Sequence, residues 1–451
     1  MSADPSLPAQ PGFGLGTEEV KRRHILPKAL LVGLVAGLLA SAFRELLQWS
    51  ELHRIACLRR LSPASGLAFA LGLGAVGGGI GLWLVRRFAP EAAGSGIPHL
   101  KSVVLGESTM NWRRLLPVKF FAGLASIGGG LALGREGPTI QMGGATGLMV
   151  SDWLRVKSGE GERKALISAG AGAGLAAAFN APLAGMIFVL EELQGSFTPV
   201  IFVAAFLASV VSDVVCRVLT GETPVFSLQA LPVPSLHALP VALVVGALCG
   251  LGGVIFNRCL LKSLDFFDRL KKWPPFAVGG MAGICVGLAS WFYPGIAGSG
   301  AGLAERALTG GIAVKFLLLF LAARFFLTML SYGSGAAGGI FAPLLVIGAL
   351  GGLAVGRVAH GFAPAWAEYP EVFAVLGMGA LLTAIVRAPL TAIVLMIELT
   401  GKYDFMLPLL VGCLVAYGVA EGLGDVPIYE ALRARGDARK SQTPVFKSQK
   451  T

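Results

Sequence analysis

The chain has 451 residues, of which 55% are hydrophobic and only 14% charged, against roughly 25% charged in soluble domains. With a mean hydropathy of +0.72, this composition excludes an ordinary soluble enzyme and points to a lipid bilayer. The net charge of +11 does not signal nucleic-acid binding, because the basic residues cluster at the ends of apolar runs, at 21–23, 86–87, 113–114 and 271–272, where they are expected to mark cytoplasmic span ends.

In chain order, residues 1–26 read as a cytoplasmic N-terminal segment, polar and then basic. The apolar run Leu30–Ala40 follows with no small-residue cleavage site, so it is expected to be an uncleaved first span. Further runs lie at Gly66–Val85, Val200–Val211, Val241–Ile255, Phe316–Ala323 and Leu344–Val355. A full span needs about 20 residues, and several runs are shorter or are cut by Gly, Pro or a charge such as Arg324. The 63 glycines, about twice average usage, are spread through these runs, where they let helices approach and break. Full spans mixed with half-helices are therefore expected. The cysteines at 57, 216, 249, 259, 285 and 413 show no metal or disulfide spacing and are expected to be buried apolar packing.

The chain repeats itself. Phe88 to Gly94-Ser95-Gly96 recurs 204 residues later as Phe292 to Gly298-Ser299-Gly300. Gly134-Arg-Glu-Gly-Pro138 recurs after 205 residues as Gly339-Ile-Phe-Ala-Pro343. Ala181-Pro182-Leu183 and Glu191 recur after 207 as Ala388-Pro389-Leu390 and Glu398. The Pro-rich stretch 220–240 reads as a linker between a first membrane repeat, 27–219, and a second, 241–424, with a basic cytoplasmic tail at 425–451. Basic residues precede the first Gly-Ser-Gly (Arg86, Arg87) and the first Gly-rich segment (Arg155, Lys157, Arg163, Lys164). Before the second Gly-Ser-Gly there are none, and before the second Gly-rich segment only Arg357. The halves are thus expected to face opposite ways, as inverted repeats around a site near the midplane.

Symmetry fails at two carboxylates. Glu136 falls opposite Phe341, and Glu192 opposite Leu399. Gly134 to Pro138 reads as a turn opening a helix, with proline in the first turn where its missing N–H costs nothing. Such an N-terminus carries about +0.5 of a charge and free N–H donors. Gly339 to Pro343 and Gly94 to Pro98 should open two more. Three converging N-termini would hold an anion without a full positive charge, with the Ser95 hydroxyl as a further donor. The Glu136 carboxylate could occupy that site, and protonation or a halide would displace it, so one side chain would be both gate and proton carrier. Its plain structural role would be an N-cap. Burying an ionisable group at membrane depth costs about 2.5–3.5 kcal/mol, which favours function. Glu191 and Glu192 could instead lie at the water interface, Arg135 reads as an ion-pair partner, and Tyr429 reads as an interface aromatic.

Taken together, Gly94-Ser-Gly-Ile-Pro98, Gly134-Arg-Glu-Gly-Pro138 and Gly339-Ile-Phe-Ala-Pro343, in that order and spacing, resemble the signature segments of the CLC chloride channel and transporter family. The resemblance covers nearly the whole membrane portion, including Phe179 to Gly185 and on to Glu192. It implies an all-α integral membrane protein with two inverted-topology repeats of many tilted, broken and partial helices. It implies that chloride is bound by the Ser95 and Tyr429 hydroxyls and the Ile340 and Phe341 N–H groups. Glu136 would be the external gate and Glu192 the internal proton-transfer group, in a homodimer of the inner membrane with both termini cytoplasmic. Chloride and protons would be transported substrates, with no cofactor, metal or nucleic acid. Family channels typically lack a carboxylate at the position of Glu192, so its presence favours chloride/proton antiport over the alternative, a passive chloride channel. Ser95 favours chloride over nitrate. Where some bacterial exchangers carry an acidic residue near the internal proton entrance, this chain has Lys101. The short tail after Asp425 is expected to leave no room for paired nucleotide-binding modules, so regulation by adenine nucleotides is not expected. No hydrolase motif or βαβ-placed glycine fingerprint supports an enzyme.

Overall fold

A computed structural model describes residues 15–156, 160–221, 226 and 235–442. The first half forms α1 (Leu15–Arg60), α2 (Pro63–Phe88), α3 (Ile97–Val104), α4 (Trp112–Gly128), α5 (Glu136–Trp153), α6 (Glu160–Phe179), α7 (Pro182–Phe188) and α8 (Pro199–Thr220). The second forms α9 (Leu239–Arg269), α10 (Pro275–Phe292), α11 (Ala301–Leu308), α12 (Val314–Gly333), α13 (Phe341–Phe362), α14 (Val372–Val386), α15 (Pro389–Thr400) and α16 (Met406–Gly422), and α17 (Ile428–Gln442) follows. No strand occurs among the described residues, and eight helices are long and apolar enough to cross a bilayer. Most of the expected linker, at 222–225 and 227–234, lies outside the described residues, as do residues 1–14, 157–159 and 443–451.

Eight helices per half match one to one along the chain, and short elements fall where glycine or proline interrupts the apolar pattern. Gly96 and Gly300 adopt φ of 78° and 76° just before α3 and α11, a left-handed conformation that costs glycine little. The outer helices bear apolar side chains outward, such as Val218 on α8 at 79% exposure and Leu318 on α12 at 69%. An apolar surface of that kind suits lipid. Every residue of α14, by contrast, is buried.

Inside lipid there is no hydrophobic drive between helices, so close backbone approach has to hold them. The glycines supply it. A Cβ on Gly283 of α10 would lie 1.8 Å from the Gly74 carbonyl oxygen of α2, and one on Gly78 would lie 2.3 Å from that of Gly279. These contacts are reciprocal: a Cβ on Gly74 would meet the Gly283 carbonyl oxygen at 2.1 Å, and one on Gly279 would meet that of Gly78 at 2.1 Å. Gly143 against Gly170 and Gly348 against Gly377 form a matched pair of the same kind.

Two pairs of side chains recur between the halves. Lys119 Nζ, fully buried on α4, donates to the Ala92 and Gly94 carbonyls at 2.9 and 2.7 Å. Its counterpart Arg324 on α12 donates to Ile296 and Gly298 at 2.8 and 2.9 Å. The Glu191 carboxylate accepts from the Leu390 and Thr391 N–H groups at the start of α15, at 3.0 and 2.7 Å. Glu398 returns the contact to Leu183 and Ala184 at the start of α7, at 3.0 and 2.8 Å. Each half thereby caps a helix of the other, and Glu191 is a cross-half cap where an interfacial side chain was one expectation.

Lys119→Met is expected to leave the Ala92 carbonyl without a donor in a dry interior, at a cost of about 1–3 kcal/mol. A lowered thermal unfolding midpoint in detergent, together with weaker chloride transport, would follow from loosening the loop that ends at Ser95. An unchanged midpoint would show that the contact carries no stability.

Three further expectations need correction. Cys57 and Cys285 are exposed, whereas Cys216 and Cys413 are buried as expected; the exposed pair lie on outward helix faces. Arg135 donates to the Ala178 carbonyl at 3.2 Å, a backbone contact, and lies in no ion pair within 4 Å among the described residues. Tyr429 is wholly buried, because α17 turns back against α3 and does not stop at an interface.

Candidate anion site and proton path

Three interrupted loops meet at the centre of the protein. Gly134 and Gly339 exchange backbone hydrogen bonds of 2.7 Å in both directions. The Gly94 N–H donates to the Ala336 carbonyl at 3.1 Å, and Gly338 returns a bond to the Gly94 carbonyl at 3.0 Å. These bonds use the loop carbonyls on one another and hold the N-termini of α3, α5 and α13 side by side. The approach is close: a Cβ on Gly137 would lie 2.8 Å from Ser95 Cα, and one on Gly339 would lie 2.9 Å from the Gly137 nitrogen.

Glu136 opens α5 and is 2% exposed. Its Oε2 accepts the Ala342 N–H at 3.3 Å, in the first turn of α13. The carboxylate lies over Gly134, where a Cβ would meet Oε2 at 2.2 Å. A negative group therefore rests on donors that an anion would use. The Ile340 and Phe341 N–H groups donate to no other protein group among the described residues.

Ser95, Phe341 and Tyr429 are all buried at the same junction. Tyr429 stacks on the Phe341 ring with centroids 6.3 Å apart. Its hydroxyl is buried without a hydrogen-bond partner among the described residues, an orphaned donor of the kind that a bound ligand satisfies. Sequence reasoning missed Tyr332 on α12, whose hydroxyl lies 3.4 Å from Ser95 Oγ. An aromatic inside an apolar run gives no signal of that contact.

Two separate cavities approach the junction. One of 540 Å³ reaches Glu136 and Ala342 past Arg44, Glu51 and Arg135. The other, of 420 Å³, reaches Gly94, Gly96 and Tyr332 past Arg86, Lys271, Arg433 and Arg435.

Glu192 lies apart from Glu136, on a π-helical turn over Val189–Gln194. The matching segment of α15 remains α-helical through Thr400. Wider turns of this kind recur at functional sites, and here Glu191 reaches α15 while Glu192 reaches Lys101. Lys101 Nζ lies 2.9 Å from Glu192 Oε1 and 2.5 Å from Glu430 Oε1. Against the burial that would raise it, the Lys101 ammonium and its hydrogen bond hold the Glu430 carboxyl below the usual carboxylate range, with Arg433 adding to the effect.

Comparison with known proteins agrees with this geometry. A family model described as voltage gated chloride channel matches residues 77–421. The H(+)/Cl(-) exchange transporter ClcA of Vibrio cholerae serotype O1 is 42% identical over 420 residues, covering 91% of this chain and 89% of its own. That of Citrobacter koseri is 40% identical over 436 residues, covering 95% and 92%. Among solved structures, a slow cyanobacterial Cl-/H+ antiporter superposes with a TM-score of 0.87 at 38% identity, covering 93% of this chain and 99% of its own. A eukaryotic CLC transporter at 22% identity, with a TM-score of 0.76 over 93% of this chain and 75% of its own, shares the fold. With the family model spanning most of the membrane portion and these relatives matched nearly end to end, the chain belongs to the voltage-gated chloride channel (CLC) family.

Proposed function

We propose that this protein exchanges chloride for protons across a membrane. The observation that carries the reading is the Glu136 carboxylate resting on the Ala342 N–H at 3.3 Å where three helix N-termini meet. A carboxylate and a chloride compete for the same donors. Protonation removes the charge of Glu136 and its claim on those N–H groups, so chloride can enter. Arrival of chloride favours the protonated, displaced side chain, and departure of the proton returns the carboxylate and ejects the anion. The same group thereby ties an anion step to a proton step. Dipoles and hydroxyls bind strongly enough to admit chloride and weakly enough to release it.

Ser95, Tyr429, Ile340 and Phe341 are assigned to chloride, and Glu192 to proton delivery at the other end. The buried, partnerless Tyr429 hydroxyl supports the first assignment. Glu192, 6% exposed, supports the second, because burying a carboxylate that a passive channel does not need would be an unrequited cost. The relatives named as exchange transporters support antiport over a channel. The reciprocal helix contacts support inverted halves. Basic residues at 21–23 and along α17 support an inner-membrane protein with cytoplasmic termini, and family resemblance supports a homodimer. Chloride and protons are its substrates, and no cofactor is assigned.

The test is purified protein in liposomes under a chloride gradient, with external pH and chloride recorded together and the voltage clamped by a potassium ionophore. Uphill proton movement driven by chloride is expected. Chloride efflux with no proton movement would overturn antiport.

A further inference from the structure

A buried carboxylate that must gain and lose protons is poorly served by a permanent cation beside it, because an ammonium in contact favours the ionised form. Yet Lys101 lies 2.9 Å from Glu192, with only 12% and 7% of the two side chains exposed. The second partner resolves the conflict. Glu430, 35% exposed, holds the same ammonium from the solvent side at 2.5 Å. It is in turn held by Arg433 at 3.1 Å, which also reaches Glu107 at 3.3 Å. When Glu192 takes a proton, Lys101 loses one counter-ion and keeps the other, so no buried charge is left alone. Glu191, the remaining nearby carboxylate, is committed to the start of α15.

We propose, building on the antiport reading, that Lys101 and Glu430 are positioning residues for proton transfer: the shared ammonium sets how readily Glu192 accepts a proton, and Glu430 sets how tightly that ammonium holds Glu192. The arrangement also joins the two pathways mechanically. Helix α3 runs from the Ser95 loop to Lys101, and α17 carries Tyr429 and Glu430 in succession. Two packed segments, α3 with the loop before it and α17, thus each give one residue to the anion site and another to the proton path.

Signs decide the test. Removing the positive charge makes Glu192 bind protons more readily, so proton transport should persist to higher pH. Removing Glu430 leaves Lys101 wholly to Glu192, so transport should fail at higher acidity than in the wild type. The experiment measures initial chloride-driven proton uptake by the full chain in liposomes at a series of symmetric pH values. Lys101→Gln should move the midpoint up by about one pH unit or more, the scale of a contacting charge. Glu430→Gln should move it down, and Lys101→Arg should restore the wild-type midpoint. Midpoints that do not move, or that move in the same direction in both Gln variants while chloride flux is intact, overturn the proposal. If Lys101→Gln fails to fold, Glu430→Gln decides alone, and an unmoved midpoint there is the overturning result. Wild-type protein that moves no protons sinks the antiport reading and this proposal with it; wild-type coupling with unshifted variants sinks only the proposal.

Discussion

Glu136→Gln is expected to abolish chloride-driven proton movement while chloride still crosses the membrane. The side chain is nearly isosteric, so the backbone lacing between Gly134 and Gly339 should survive. What disappears is the ability to alternate between a charged and a neutral state. A neutral amide no longer competes as an anion for the Ala342 N–H, so chloride retains its entry, but no proton rides with it. Loss of a positioned proton-transfer group typically costs about 10²-fold or more, and proton flux should fall at least that far in the liposome assay. Coupled proton movement at the wild-type ratio would remove Glu136 from the proton path and return it to a helix-capping role.

The parts of this machine that were legible in the sequence are those written as local chemistry. Gly94 to Pro98, Gly134 to Pro138 and Gly339 to Pro343 announce helix starts because glycine permits the turn and proline fits the first helical turn. Their recurrence at a constant offset announces two halves. Asymmetry between the copies singled out Glu136 and Glu192 without any structure. Contacts that depend on the tertiary fold were not legible. Lys119 and Arg324, 205 residues apart, do the same work on equivalent carbonyls of their own halves, yet a lone cation in each apolar run reads only as an interruption. Glu191 and Glu398 were recognised as counterparts, but nothing local says that each caps a helix in the other half. Tyr429 was misread as an interface aromatic from its sequence position because burial depends on α17 folding back. The π-turn under Glu192 was equally hidden: its residues suit a plain helix, and only its tertiary partners pull successive carboxylates to different sides.

That turn shapes the second large effect. Glu192→Gln is expected to cut proton movement by about 10²-fold and to spare chloride transport, since Glu192 faces Lys101 and is not one of the groups at the helix N-termini. Removing one member of a buried ion pair ordinarily costs about 3–5 kcal/mol, because the surviving charge is stranded. Here Lys101 keeps Glu430, so the variant should unfold in detergent close to the wild-type temperature. The two readouts separate the roles. Proton movement indistinguishable from wild type would make Glu192 a structural carboxylate at the edge of the fold. A collapse in stability with chloride transport lost as well would show that Glu430 does not hold the ammonium alone, and that the pair is there to keep α3 against the π-turn. Selective loss of protons from a stable, chloride-conducting protein is the outcome that follows from a carboxylate whose cationic neighbour has somewhere else to go.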